Sequence, residues 1–123
     1  MKLTKHSDRK IQMTFDQWEV GGEYAQVMYN YLVYGFNPGS FFTSVLANDF
    51  VGAMSHSHPS NAVSALKRLV GWMQDYMPAT AWGSYAAVKS WTSLDESFRR
   101  QILEEQKLIF TEKEETWKVL NDV

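Results

Sequence analysis

The sequence predicts an all-α fold, a compact bundle of five or six short helices, from three observations. Apolar residues recur at helical spacing, most clearly at Leu66, Leu69, Val70, Met73, Tyr76 and Met77. Helix-start residues stand ahead of several such stripes, as in Asn37-Pro38, Ser84 and Ser93. Sustained strand alternation is missing. Ile11, Met13 and Phe15 alone allow a short N-terminal strand over 10–15.

The elements follow in order. Residues 1–10 read as a basic, flexible tail. Thr14 followed by Gln17 resembles a capping box that opens a first helix near 15–34. Gly21-Gly22 interrupts that helix, since a glycine costs about 1 kcal/mol in a helix interior. Tyr24, Val27, Met28, Tyr31 and Leu32 resume the stripe, and Gly35 is placed to cap its end. A second helix near 38–56 starts at Asn37-Pro38 and carries Phe41, Phe42, Val45 and Leu46, then Phe50, Ala53 and Met54. "SHSHPSN" breaks the pattern. A third helix near 59–77 has Pro59 at its first position and stops at Pro78. "WGS" at 82–84 turns the chain into a helix near 84–91 capped by Ser84. Ser93 with Glu96 opens a charged helix near 94–110, and Thr111 with Glu114 a last one near 112–121. Two opposite-charge pairs four apart, Asp95/Arg99 and Glu96/Arg100, support the charged helix.

At 123 residues the chain fits one domain with one modest core. The apolar fraction of 45% argues against wholesale disorder. No apolar run approaches the ~18 residues that span a bilayer, and the N-terminus has no apolar signal segment. The absence of cysteine removes disulfides, thiolate nucleophiles and cysteine zinc sites, so a cytoplasmic setting is expected.

The net charge of −2 hides a segregation. Residues 1–10 hold four basic residues against Asp8. Residues 11–91 hold only three basic and five acidic residues but 15 of the 18 aromatics, and residues 92–123 hold five basic and eight acidic. A monomer's surface usually carries more charge than that middle segment supplies. The chain thus divides into a basic tail (1–10), an aromatic-rich helical core (11–91) and a charged helical extension (92–123). That extension is expected to pack on the core or on a second chain.

The blocks "NPGSFFTSVLANDF", Ala53, Asn61, Leu66, Pro78, "WGS" and Trp91 occur in that order between residues 35 and 91. This stretch resembles a family of small helical proteins encoded by tailed bacteriophages and prophages. The family pattern is Pro-Gly-Gly/Ser-Phe-Leu, Val-Leu-x-Asn-Asp-Leu and a Trp-Gly-Ser turn. The resemblance covers roughly half of the chain and brings no assigned chemistry. Where family members often carry Arg-Ala-Asp, this chain has His56, Ser57 and His58, and it continues for about thirty residues past the tryptophan.

Several constellations carry possible chemistry. His56 and His58 with Asp49 supply metal-ligand types, but no His-x-x-x-His or Glu-x-x-His spacing supports them, so no metal and no cofactor is expected. Asn48 and Asp49 suit helix punctuation: either Asn48 ends one short helix or Asp49 caps the next. Their alternative use is a polar binding wall with His56, His58, Asn61, Trp82 and Ser84. Ser40, Ser84 and the histidines form no recognisable catalytic motif, and no phosphate-binding glycine loop is present. Nucleic-acid binding is not expected, because the aromatic middle lacks a Lys/Arg stripe. Phe98, Ile102 and Ile109 form one seam of the extension, with Phe110 on another and Trp117 beyond, all candidates for self-association. The expectation is therefore a non-catalytic accessory protein in the host cytoplasm that binds and modulates a host or phage protein, as a homodimer. The alternative is a small-ligand binder that sequesters a nucleotide-type signal.

Overall fold

The computed structural model describes residues 2–3, 5–56, 63–109 and 111–112. Its architecture is all-α. Among the described residues there are seven α-helices, a π turn and a 3₁₀ turn, joined by short loops, and one two-residue strand pair.

Helix α1 spans Lys5–Gln17 and begins inside the stretch expected to be a flexible tail. Ile11, Thr14 and Phe15, spaced i, i+3, i+4, turn inward and are buried, while Met13 is 59% exposed. A strand over 10–15 would have put Met13 on the same face as Ile11 and Phe15, so its exposure shows which period governs. The strand that exists lies earlier. Strand β1 (Lys2–Leu3) pairs antiparallel with β2 (Thr111–Glu112), Lys2 opposite Glu112. Thr14 does not open a helix but sits within one. Its hydroxyl donates to the Ile11 carbonyl at 2.6 Å and accepts from the Trp72 indole N–H at 2.9 Å.

The chain leaves α1 through Glu19, at φ 53°, and re-enters a helix at α2 (Gly22–Tyr29). The expected helix near 15–34 is thus split by Gly21 and continued by the π turn Asn30–Tyr34. The wider π turn needs about one more residue per turn than an α-helix, so it brings positions five apart onto one side. Tyr29 and Tyr34 meet there, with ring centroids 6.0 Å apart. Gly35, at φ 69°, ends the segment as expected, and its N–H donates to the Tyr31 carbonyl at 3.0 Å.

Helix α3 (Ser40–Leu46) starts two residues later than Asn37-Pro38 predicts. The Asn37 side chain accepts from the Gly39 N–H at 2.9 Å, closing a turn ahead of the helix. Helix α4 (Phe50–His56) packs against α3, and α5 (Val63–Tyr76) against α1. A 3₁₀ turn (Ala79–Ala81) follows Pro78, and α6 (Tyr85–Ser93) begins after Ser84, whose hydroxyl accepts from the Ala87 N–H at 3.0 Å. Helix α7 (Glu96–Glu105) is shorter than expected and starts from Asp95, because Ser93 still belongs to α6. The helix expected near 112–121 lies outside the described residues apart from Glu112.

The core centres on Trp72, Trp91, Tyr31, Phe15, Met28 and Leu32, all 1% exposed or less. Each polar atom on these rings is matched. Trp91 donates its indole N–H to the Tyr31 carbonyl at 3.0 Å, and the Tyr31 hydroxyl donates to the Ala81 carbonyl at 2.7 Å. Phe15 stacks on Trp72 at 4.6 Å between centroids.

Arg99 departs from its expected partner. Glu96 and Arg100 form the predicted i, i+4 ion pair at 2.8 Å, but Arg99 is 6% exposed and turns into the core. Its guanidinium donates to the Leu94 carbonyl and, at 3.1 Å, to the Tyr34 carbonyl. Both carbonyls close helical segments, where the backbone dipole is negative. This contact fastens α7 to the π turn.

Candidate functional site

The Asn48-Asp49 pair is placed by its own local structure. Asn48 takes the left-handed conformation, φ 62°, one of few settings where a short polar side chain does so at low cost. It ends α3, with its N–H donating to the Val45 carbonyl at 3.1 Å. Asp49 then caps α4: its carboxylate accepts from the Gly52 N–H at 2.9 Å and from the Tyr85 hydroxyl at 2.5 Å. The Tyr85 hydrogen bond, the Gly52 N–H and the nearby His56 together hold the Asp49 carboxyl below its ordinary range. Gly52 is needed here, since a Cβ at that position would run into the Asp49 carboxylate.

The turn around "WGS" lies beside this pair. The Gly83 N–H donates to the Leu46 carbonyl at 2.7 Å, and Tyr85 reaches both Asp49 and the Ser44 hydroxyl, 3.3 Å away. The expected binding residues are therefore neighbours without forming one wall. Ser84 is occupied as a helix cap, Trp82 packs partly against the core, and Asn48 faces solvent. His58 and Asn61 lie outside the described residues. Around His56 no group of three or more His, Asp or Glu is arranged to hold a metal, among the described residues.

The described surface does contain a polar cleft of about 350 Å³. It is lined by Asn37, Gly39, Ser40, Thr43, Ser44, His56 and Tyr85. Of the expected site residues only His56 belongs to it. Ser40, Thr43 and Ser44 sit at i, i+3, i+4 on one face of α3, so the spacing was visible in the sequence as a hydroxyl stripe opposite Phe41, Phe42 and Val45. Tyr85 carried no such signal, because its position follows from the turn that precedes it. The cleft wall holds no Lys or Arg to pair with a phosphate.

The second feature is apolar. On α4, Phe50 is 70% and Val51 74% exposed, with Met54 exposed on the same side and Ala53 buried beneath. On α7, Phe98 is also exposed, and Ile102 packs partly against the core. Ile109, expected beside them in an association seam, is 1% exposed and belongs to the chain's own core. It gets there because the chain leaves α7 through Lys107, at φ 59°, and turns inward at Leu108. Phe110 and Trp117 lie outside the described residues. No described helix is long and apolar enough to cross a membrane.

No protein family, curated protein or solved structure matches this chain.

Proposed function

We propose that this chain is a non-catalytic accessory protein that binds and modulates another protein through the outward face of α4. The observation that carries this reading is the pairing of Phe50 and Val51, both largely exposed, at the start of a helix that has no Lys, Arg, Asp or Glu of its own. Adjacent solvent-facing apolar side chains on a charge-poor element are the kind of surface that partners cover. The resemblance to phage-encoded proteins supports a host or phage protein as the partner, met in the host cytoplasm. A homodimer completes the reading, with Phe98 on the outer face of α7 as its contact. Size-exclusion with light scattering tests the dimer, and a strict monomer at tens of micromolar removes it.

The partner reading is tested by retention of host proteins on the immobilised chain, compared with a Phe50→Asp/Val51→Asp variant. Acidic residues in the first turn of a helix are favourable, so the variant keeps α4. The wild type should retain a defined protein that the variant releases. A partner held equally by both forms places binding elsewhere, and no partner from host or phage lysate overturns the reading.

A further inference from the structure

We propose that the cleft between α3, the end of α4 and Tyr85 is a binding site for a neutral ring polyol, such as a free monosaccharide or the ribose of a nucleoside. It is separate from the apolar face of α4, so the two readings stand or fall independently.

Size and unused hydrogen-bonding capacity carry the first part. A volume of about 350 Å³ falls at the lower end of small-molecule sites. The hydroxyls of Ser40 and Thr43 make no hydrogen bond within the described residues, and His56 joins them on the wall while acting electrostatically on Asp49. Asn37 uses its carbonyl oxygen on the Gly39 N–H, which leaves its NH₂ as a donor. The wall therefore offers hydroxyls that donate and accept, an amide donor and an imidazole that does either. Adjacent hydroxyls on a sugar ring present the same mixture in return.

Charge selects against ionic ligands. No Lys, Arg, Asp or Glu lines the cleft. The Asp49 carboxylate is not part of the wall and is already engaged, one oxygen on the Gly52 N–H and the other on the Tyr85 hydroxyl. A phosphate entering here would meet no Lys or Arg, and His56, the one wall residue able to carry positive charge, already acts on the Asp49 carboxylate; an ammonium would find only hydroxyls, an amide and an imidazole. A neutral ligand meets neither cost.

Tyr85 supplies the remaining element. Its ring is half exposed, yet its hydroxyl is held by Asp49 and lies within hydrogen-bonding distance of Ser44. An aromatic face fixed in advance loses little rotamer freedom when a ring packs its C–H groups against it.

The test is a ¹⁵N NMR titration of the full chain with three probes: uridine, uridine monophosphate and methyl glucoside. Saturable shifts at Gly39, Ser40, Thr43 and His56 with millimolar affinity are expected for uridine or for methyl glucoside. Whichever of the two acts tells a nucleoside source from a free sugar. The monophosphate should bind at least about tenfold more weakly than uridine. A Ser40→Ala/Thr43→Val variant, which leaves Tyr85 and Asp49 in place, should lose the shifts while keeping its melting temperature. No saturation by any probe, equal binding of uridine and its monophosphate, or full binding by the variant would each overturn the proposal.

Discussion

Replacing Gly35 by alanine tests the fastening of α7 to the π turn. Two costs add at this position. The residue sits at φ 69°, where a side chain costs about 1 kcal/mol relative to glycine. A Cβ there would also lie 2.8 Å from the Arg99 Cζ and Nη1, closer than carbon atoms pack. An exposed arginine head would simply move aside. Arg99 is 6% exposed and donates to the Leu94 and Tyr34 carbonyls, so moving it sacrifices at least one charged hydrogen bond, worth about 1.5–3 kcal/mol. Gly35→Ala should therefore cost about 2.5–4 kcal/mol, a large share of a domain's usual margin. With a urea dependence of about 2 kcal/mol per molar, the midpoint should fall by about 1–2 M. In an Arg99→Ala background the collision is gone, and the same alanine should cost only the backbone share of about 1 kcal/mol. Equal costs in the two backgrounds would show that Arg99 does not press on Gly35, and the account of how α7 is held would fail.

Three further outcomes follow from contacts described above. Thr14→Val keeps shape but removes the acceptor of the buried Trp72 indole N–H, so urea unfolding should show a loss of about 1–3 kcal/mol, and a loss under about 0.3 kcal/mol would contradict the bond. Asp49→Ala should destabilise the fold at neutral pH. The Tyr85 and Gly52 hydrogen bonds hold the folded carboxyl below the ordinary aspartate range, so its contribution is present above that range and is lost as pH falls through the lower folded value; the gap between wild type and variant in melting temperature should narrow there, and a gap constant from pH 7 to pH 2 would remove the capping role. Gly71→Ala places a methyl against the Trp18 ring, which lies over that glycine and donates to Asp75 at 3.0 Å. The Trp18 indole N–H resonance should shift while those of Trp72 and Trp91 stay, and an unmoved Trp18 signal would show that the ring does not rest on Gly71.

Helical periodicity made the fold class and the large core residues legible, because burying a stripe such as Leu69 and Met73 requires only that the helix exist. Caps written into single residues were also legible at Gly35 and Ser84, whereas the Asn48-Asp49 pair was legible only as punctuation, because the periodicity carries one helix from 38 to 56 and the structure breaks it there into α3 and α4. Boundaries set by competition between local signals were not. Thr14 carries a capping signature, yet the buried indole of Trp72, 58 residues away, uses its hydroxyl inside a helix. Arg99 carries an ion-pair signature, yet two helix-end carbonyls draw it inward. The site divided along the same line. Asn48 and Asp49 stood out for their polarity within an apolar run, and local capping accounts for that polarity. The cleft depends on how α3, α4 and Tyr85 come together, which no single stretch encodes.

The antiparallel pairing of Lys2 with Glu112 joins residues 110 positions apart. Such a contact rewards the chain only after a very long loop has been closed, so it forms late, once the helices between have already drawn the ends together. Helices as short as α3 and α4 have little stability in isolation, which ties their formation to tertiary packing as well. During synthesis, therefore, this strand pair cannot form until Thr111 and Glu112 have emerged, so Lys2 and Leu3 find their partners only after every helix between them has been made.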